Sequence, residues 1–237
     1  MKLASIVPMK NAIRTFDGDY AMLLAHLKDY YPENPNIGCY VIMDNSLIEL
    51  GGAVDIQTVY DAALQCNANE FILPDVFRDG PATVAEVIKS ISYMRKHDML
   101  GRFHLMAVCQ GSTRAEFEWC FKQLIGIHEI HCIGIPKVAN ELTPNGRPGL
   151  EYLWVDNPSN KCIHLLGCWK TLDEFRQYKY PELIRSCDTC IPALLSTKKI
   201  YDAWVPRPEK TIDLIHDRIK PACYEEIREQ LMHEGLL

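Results

Sequence analysis

Along the chain, short apolar runs alternate with longer stretches whose apolar residues recur at three- and four-residue spacing, which is the pattern of strands alternating with amphipathic helices. The strand-like runs are LASIV (3–7), CYVIM (39–43), EFIL (70–73), FHLMAVC (103–109), IHCIGI (130–135), CIHLLG (162–167) and LIRSC (183–187). Helices are expected over residues 19–29, 55–66, 81–97, 113–125, 148–156 and 171–178, with a long amphipathic helix over 211–232. Asp55, the Gly80-Pro81 pair, Ser112 or Thr113, and Thr171 stand where capping or first-turn residues belong.

Strand-helix alternation favours a parallel sheet, and seven or eight such units in 237 residues favour a closed barrel, which typically takes roughly 250 residues. The expectation is an α/β protein: one TIM-like (β/α)8 barrel domain over 1–237. Its eighth strand falls either in STKKIYDAWV (196–205) or in an irregular stretch near 10–38.

Composition narrows the class. With 48% hydrophobic and 24% charged residues the chain reads as a soluble globular protein, and no apolar run approaches the roughly 20 residues that span a bilayer. The start, MKLASIVPMKNAIRTF, is broken by Pro8 and makes no secretory signal. A cytoplasmic location without membrane contact is expected. Ten cysteines would permit disulfides, yet Cys39, Cys109, Cys132 and Cys162 lie inside strand-like runs, where a reduced thiol packs as a small hydrophobe. The net charge of -6 argues against an unspecialised polyanion binder, while a local basic patch can coexist with an acidic whole, so charge alone leaves nucleic acid open. Without a Gly-x-Gly-x-x-Gly or Walker pattern, no nucleotide cofactor is expected.

In a parallel barrel, functional side chains gather at the carboxyl ends of the strands. The residues ending the apolar runs are Asp44, Asp75, Gln110 with Gly111, Gly134 with Lys137, Gly167 and Asp188. Three aspartates and an amide would thus meet at one mouth. Cys187 and Cys190 flank Asp188 with Cys-x-x-Cys spacing, but no second matching pair follows, so a metal is not expected and the carboxylate is the candidate working group. Taken singly, Asp44 or Asp75 could equally cap the following helix, and Gln110 could serve a structural turn. His128 and His131 are expected to be a strand-edge and a packed histidine, and Phe117 and Trp119 to be core.

The segments MDNS (43–46), LPDV (73–76), AVCQG (107–111), IGIPK (133–137), HLLG (164–167) and CDTCIP (187–192) resemble, in order and spacing, motifs of the queuine/archaeosine-type guanine transglycosylases. Those enzymes are pentosyltransferases that exchange guanine in a nucleic acid for a free 7-deazaguanine base. The resemblance covers about 40–192 and implies Asp188 as nucleophile, Asp44 as acid/base, and Asp75, Gln110, Gly134 and Gly167 as base-binding groups. The family's Asp-Ser-Gly-Gly is DNSLIELGG here, so the loop after Asp44 differs. The zinc-binding Cys-x-Cys-x-x-Cys segment of the tRNA enzymes is absent from the sequence. The chain is therefore more similar to phage-type members that act on DNA, which would place it in a host cytoplasm.

Lys137, and Lys198, Lys199 and Arg207 with Tyr201 and Trp204 between them, have the composition of a surface for backbone phosphates and a stacked base; an ordinary solvated face has the same composition. The expected partners are DNA, or alternatively tRNA, and a free 7-deazaguanine. Oligomeric state and any partner protein stay open. The competing readings are the same exchange on tRNA, a non-catalytic nucleic-acid-binding subunit with a vestigial pocket, and an unrelated barrel lyase or hydrolase.

Overall fold

The computed structural model describes residues 2–7, 20–31, 38–156, 161–167, 172–190, 193, 213–217, 225, 226 and 229. Eight parallel strands close into a barrel in strict sequence order. They are β1 (Lys2–Ser5), β2 (Tyr20–Leu24), β3 (Tyr40–Asp44), β4 (Glu70–Ile72), β5 (His104–Val108), β6 (Cys132–Pro136), β7 (Cys162–Leu166) and β8 (Ile184–Thr189). Pairing of β8 with β1, Ala4 opposite Asp188, shuts the ring. The eighth strand that the pattern left open is β2, in the irregular region near 10–38; residues 196–205 lie outside the described residues.

The helix expected over 19–29 is a correction. Tyr20–Leu24 is a strand and only Ala25–Tyr30 is helical, as a 3₁₀ turn. YAMLL is apolar on both faces because a barrel strand is covered inside by other strands and outside by helices, so its run carries no period that separates strand from helix.

The outer helices are α1 (Leu47–Leu50), α2 (Ile56–Gln65), α3 (Gly80–Lys96), α4 (Arg114–Ile125) and α5 (Tyr152–Val155). Local chemistry sets their starts. Asp55 accepts the Thr58 N–H at 3.0 Å, Asp79 the Ala82 N–H at 2.8 Å, and Thr113 the Glu116 N–H at 3.2 Å. The expected helices at 148–156 and 171–178 shrink to short pieces: Arg147–Leu150 and Leu172–Gln177 are 3₁₀, and α5 is a single turn. Most of the 211–232 segment lies outside the described residues. No helix among the described residues is long and apolar enough to cross a membrane.

Two apolar cores follow from strand alternation. The outer one joins strand backs to helices, with Phe71, Phe117, Phe121, Leu124, Ile133 and Leu165 fully buried. The inner one stacks Ala4, Met22, Ile42, Ile72, Met106, Val108 and Cys132 from β1 to β6. Trp119, expected in the core beside Phe117, is 43% exposed. Two residues along a helix turn about 200°, so Phe117 and Trp119 face opposite sides, and α4 buries Phe117, Cys120, Phe121 and Leu124. Of the cysteines, Cys109 and Cys132 are buried as expected, Cys39 is half-buried and Cys162 exposed, and all four are free thiols.

Gly111 lies where the chain turns from β5 into α4. A Cβ there would stand 2.6 Å from the Phe117 backbone nitrogen, whereas one on Gly52 would meet nothing within 4 Å. Gly111→Ala is expected to destabilise the fold by about 1–3 kcal/mol, and Gly52→Ala to stay within about 0.5 kcal/mol, in urea unfolding monitored by circular dichroism.

Candidate active site

Asp44, the last residue of β3, Asp75, three residues past β4, and Asp188, in β8, converge on the carboxyl-terminal mouth of the barrel. Their proximity is electrostatic as well as topological. Burial raises the Asp44 carboxyl well above the usual carboxylate range, and the neighbouring charges of Glu49, Asp188 and Asp75 raise it further, against the Ser46 N–H that stabilises its ionised form at 3.1 Å. Asp44 keeps a partial opening to the surface, as a side chain at a mouth should. Burial and like charges thus favour the protonated form of Asp44.

Asp188 is set up differently. Its Oδ1 accepts the Gly167 N–H at 2.9 Å and lies 3.3 Å from His164 Nε2, while the side chain is almost wholly buried. Both contacts fall on one oxygen. Gly167 can turn its N–H this way because it sits at φ +67°, a conformation that glycine adopts without strain. The Gly167 N–H, expected among the base-binding groups, is here donated to the candidate nucleophile.

Asp75 is held from both sides. Asn45 Nδ2 donates to its Oδ1 at 2.6 Å and Gln110 Nε2 to its Oδ2 at 2.7 Å. The Gln110 Oε1 accepts the Arg78 N–H at 3.0 Å, so the amide orientation is fixed and its second N–H is the one left for a ligand carbonyl. Burial pushes the Asp75 carboxyl up to about 6, with the Gln110 and Asn45 bonds opposing the rise. Asn45 also donates to Leu73 O at 2.8 Å, which ties the loops after β3 and β4 together.

Gly134 lies inside β6 and contributes space. A Cβ there would stand 2.8 Å from Leu166 Cδ1 and 3.2 Å from Val108 Cγ2, and its carbonyl accepts the Cys109 N–H at 2.9 Å. Lys137 opens the turn after β6 with its stem beside Gly167, whose Cβ would stand 3.4 Å from that of Lys137. Lys198, Lys199 and Arg207 lie outside the described residues. His131, away from this mouth, stacks on His104 with ring centroids 4.6 Å apart. Cys187 and Cys190 are buried in the outer core.

Four participants escaped the sequence reading. Glu49, on the altered loop, adds a fourth carboxylate. Asn45 steadies Asp75. His164 was inside a quoted motif but read as apolar strand, although a histidine at an inward position of a barrel strand was a usable signal. Arg147, fully buried, reaches Ile135 O at 3.0 Å and Leu166 O at 2.7 Å and pairs with Glu174 at 2.7 Å, clamping the ends of β6 and β7 beside Gly167. Nothing in the local sequence marks that arginine.

Chemically, the mouth offers a carboxyl of raised proton affinity, a second with one oxygen tethered, and a third presented between two amides. No protein-family model matches the sequence, and no curated protein matches it at a significant level.

The raised Asp75 carboxyl has a stability consequence. A folded pKa of about 6 against an unfolded value near 4 favours the native state at low pH, and that contribution is lost as pH rises through 6. The span corresponds to about 3 kcal/mol on an order-of-magnitude scale. Asp75→Asn should flatten the change in unfolding free energy between pH 5 and pH 8, measured by urea titration at each pH.

Proposed function

We propose that this chain is a guanine transglycosylase that replaces guanine in DNA with a free 7-deazaguanine base through a covalent aspartyl-sugar intermediate. The observation that carries the reading is the division of labour between Asp188 and Asp44. Asp188 has Oδ1 occupied by the Gly167 N–H and His164, which leaves Oδ2 directed elsewhere, while Asp44 is the neighbouring carboxyl whose proton affinity burial and nearby carboxylates raise. The ordered motif resemblance supports the same assignment.

In the first displacement, Asp188 Oδ2 attacks C1′ of the target nucleoside as the C1′–N9 bond breaks, and Asp44 gives its proton to the departing guanine. Oxocarbenium character on the sugar is stabilised by the carboxylate before it is trapped, as in retaining glycosidases. In the second, the ionised Asp44 takes the N9 proton of the incoming 7-deazaguanine, the base nitrogen attacks C1′, and the C1′–O bond to Asp188 breaks. Atoms and charge balance, and two inversions retain configuration. Asp75 would accept from the N1–H and exocyclic amine of either base, and the free N–H of Gln110 would donate to O6. A buried set of this kind can reject a base with the wrong pattern by about 10⁴-fold. In duplex DNA the target must leave the stack first.

The test is incorporation of labelled guanine into DNA and, in parallel, into tRNA. Exchange into DNA is expected from the native protein. Asp188→Asn should lower it by at least about 10³-fold and abolish the denaturation-resistant protein–DNA adduct, while binding of free guanine persists. Normal exchange by Asp188→Asn would overturn the assignment, and exchange confined to tRNA would move the substrate.

A further inference from the structure

Barrels of this class usually fill their interior with branched apolar side chains, and here β1 to β6 contribute an apolar set, Ala4, Met22, Ile42, Ile72, Met106, Val108 and Cys132. The remaining interior is polar. His164 and Ser186 are fully buried, with the imidazole Nδ1 2.7 Å from the hydroxyl oxygen. Arg185 Nε donates to the same hydroxyl at 3.1 Å. Arg185 Nη1 stands 2.8 Å from Oε2 of the fully buried Glu70, a close ion pair off the ideal hydrogen-bond line. The guanidinium lies over the rings of Tyr20 and Tyr40, 5.6 and 5.8 Å from their centroids. The Tyr40 hydroxyl reaches His104 Nδ1 at 3.0 Å, at the edge of an open hollow of about 520 Å³ on the amino-terminal mouth.

A polar chain therefore runs through the barrel: Asp188, His164, Ser186, Arg185, Glu70. Backbone register makes it continuous. Ile163 pairs with Ile184 but His164 pairs with Ser186, so Arg185 is an extra residue in β8, and consecutive side chains, Arg185 and Ser186, both reach the interior. Such irregularities re-aim side chains near functional sites. A buried ion pair seldom stabilises a fold more than apolar residues of similar volume would, so core packing alone does not account for this one.

The partners favour one set of donor directions. An arginine cannot release its Nε proton, so the Ser186 oxygen accepts from Arg185, and its hydrogen is free to point to His164 Nδ1. Asp188 Oδ1, facing Nε2, calls for a proton on that nitrogen, and in a neutral ring Nδ1 is then the acceptor for the Ser186 hydroxyl. We propose that Ser186 and Arg185, anchored by Glu70, are positioning residues that lock His164 in the neutral Nε2–H tautomer and thereby hold Asp188 with Oδ2 presented. Only what Asp188 then does rests on the transglycosylase reading. With the other tautomer, the Nε2 lone pair would face a carboxylate oxygen and push it away.

The experiment has two arms on the full chain. Long-range ¹⁵N–¹H NMR of ¹⁵N-histidine-labelled protein at neutral pH reads the His164 tautomer directly, with His164→Gln assigning the signal. The native protein should show Nε2–H with unprotonated Nδ1, and Ser186→Ala should show a tautomer mixture or an imidazolium. Guanine exchange should fall about 10- to 100-fold in kcat for Ser186→Ala, as for outer partners of functional histidines, with KM for the free base nearly unchanged. Glu70→Gln should shift both readouts less, and Ser186→Thr, which keeps the hydroxyl, should restore them. An Nδ1–H tautomer or an imidazolium in the native protein overturns the proposal. So does Ser186→Ala with either tautomer or exchange unchanged, provided the native protein exchanges guanine. If the native protein exchanges guanine in neither DNA nor tRNA, the functional reading fails, and the NMR arm alone decides the tautomer lock.

Discussion

Pairing of β1 with β8 is the contact on which the remaining geometry depends. Lys2 to Ser5 lie opposite Ser186 to Thr189, and Ile6 N–H reaches Thr189 O at 3.1 Å beyond the strand. Until those strands meet, the carboxyl ends of β3, β4 and β8 are points on an open ribbon, and Asp44 and Asp188 lie far apart. Closure turns the ribbon into a ring and brings these carboxylates within electrostatic reach across it. The cost appears as the raised proton affinity of Asp44, where burial and three neighbouring carboxylates oppose ionisation together. A barrel stabilised by its inner and outer apolar cores can hold such a cluster at its mouth.

Within the mouth, hydrogen bonds distinguish three chemically identical side chains. Asp75 is fixed on both oxygens by amide donors, Asp188 on one oxygen only, and Asp44 by one backbone N–H. Each pattern comes from a loop or strand end with little freedom. Arg147 draws the carbonyls of Ile135 and Leu166 together, which fixes the turn at Gly167, and Asn45 joins the loops after β3 and β4. The polar chain behind His164 belongs to the same logic: the barrel centre is used to orient a side chain at its rim.

Much of the fold was legible in the pattern of residues. Seven strands are found where the apolar runs stand, and Asp55 and Thr113 cap the helices expected after them. The strand that escaped, Tyr20–Leu24, has apolar residues on both faces, and such a run reads equally as a buried helix. The short helices after β6 and β7 were overextended, because Arg147 and its partners pull the chain into 3₁₀ turns that no periodicity announces.

What the sequence determined by itself is the alternation that makes a parallel barrel and the aspartates that end its strands, since both depend on local order along the chain. Tertiary structure alone decided that Asp44, Glu49, Asp75 and Asp188 share one electrostatic neighbourhood. It alone decided too that Arg147 is buried, and that a one-residue shift in β8 aims Arg185 and Ser186 at His164. Those features depend on contacts between residues tens of positions apart, and on a register set only when the last strand meets the first.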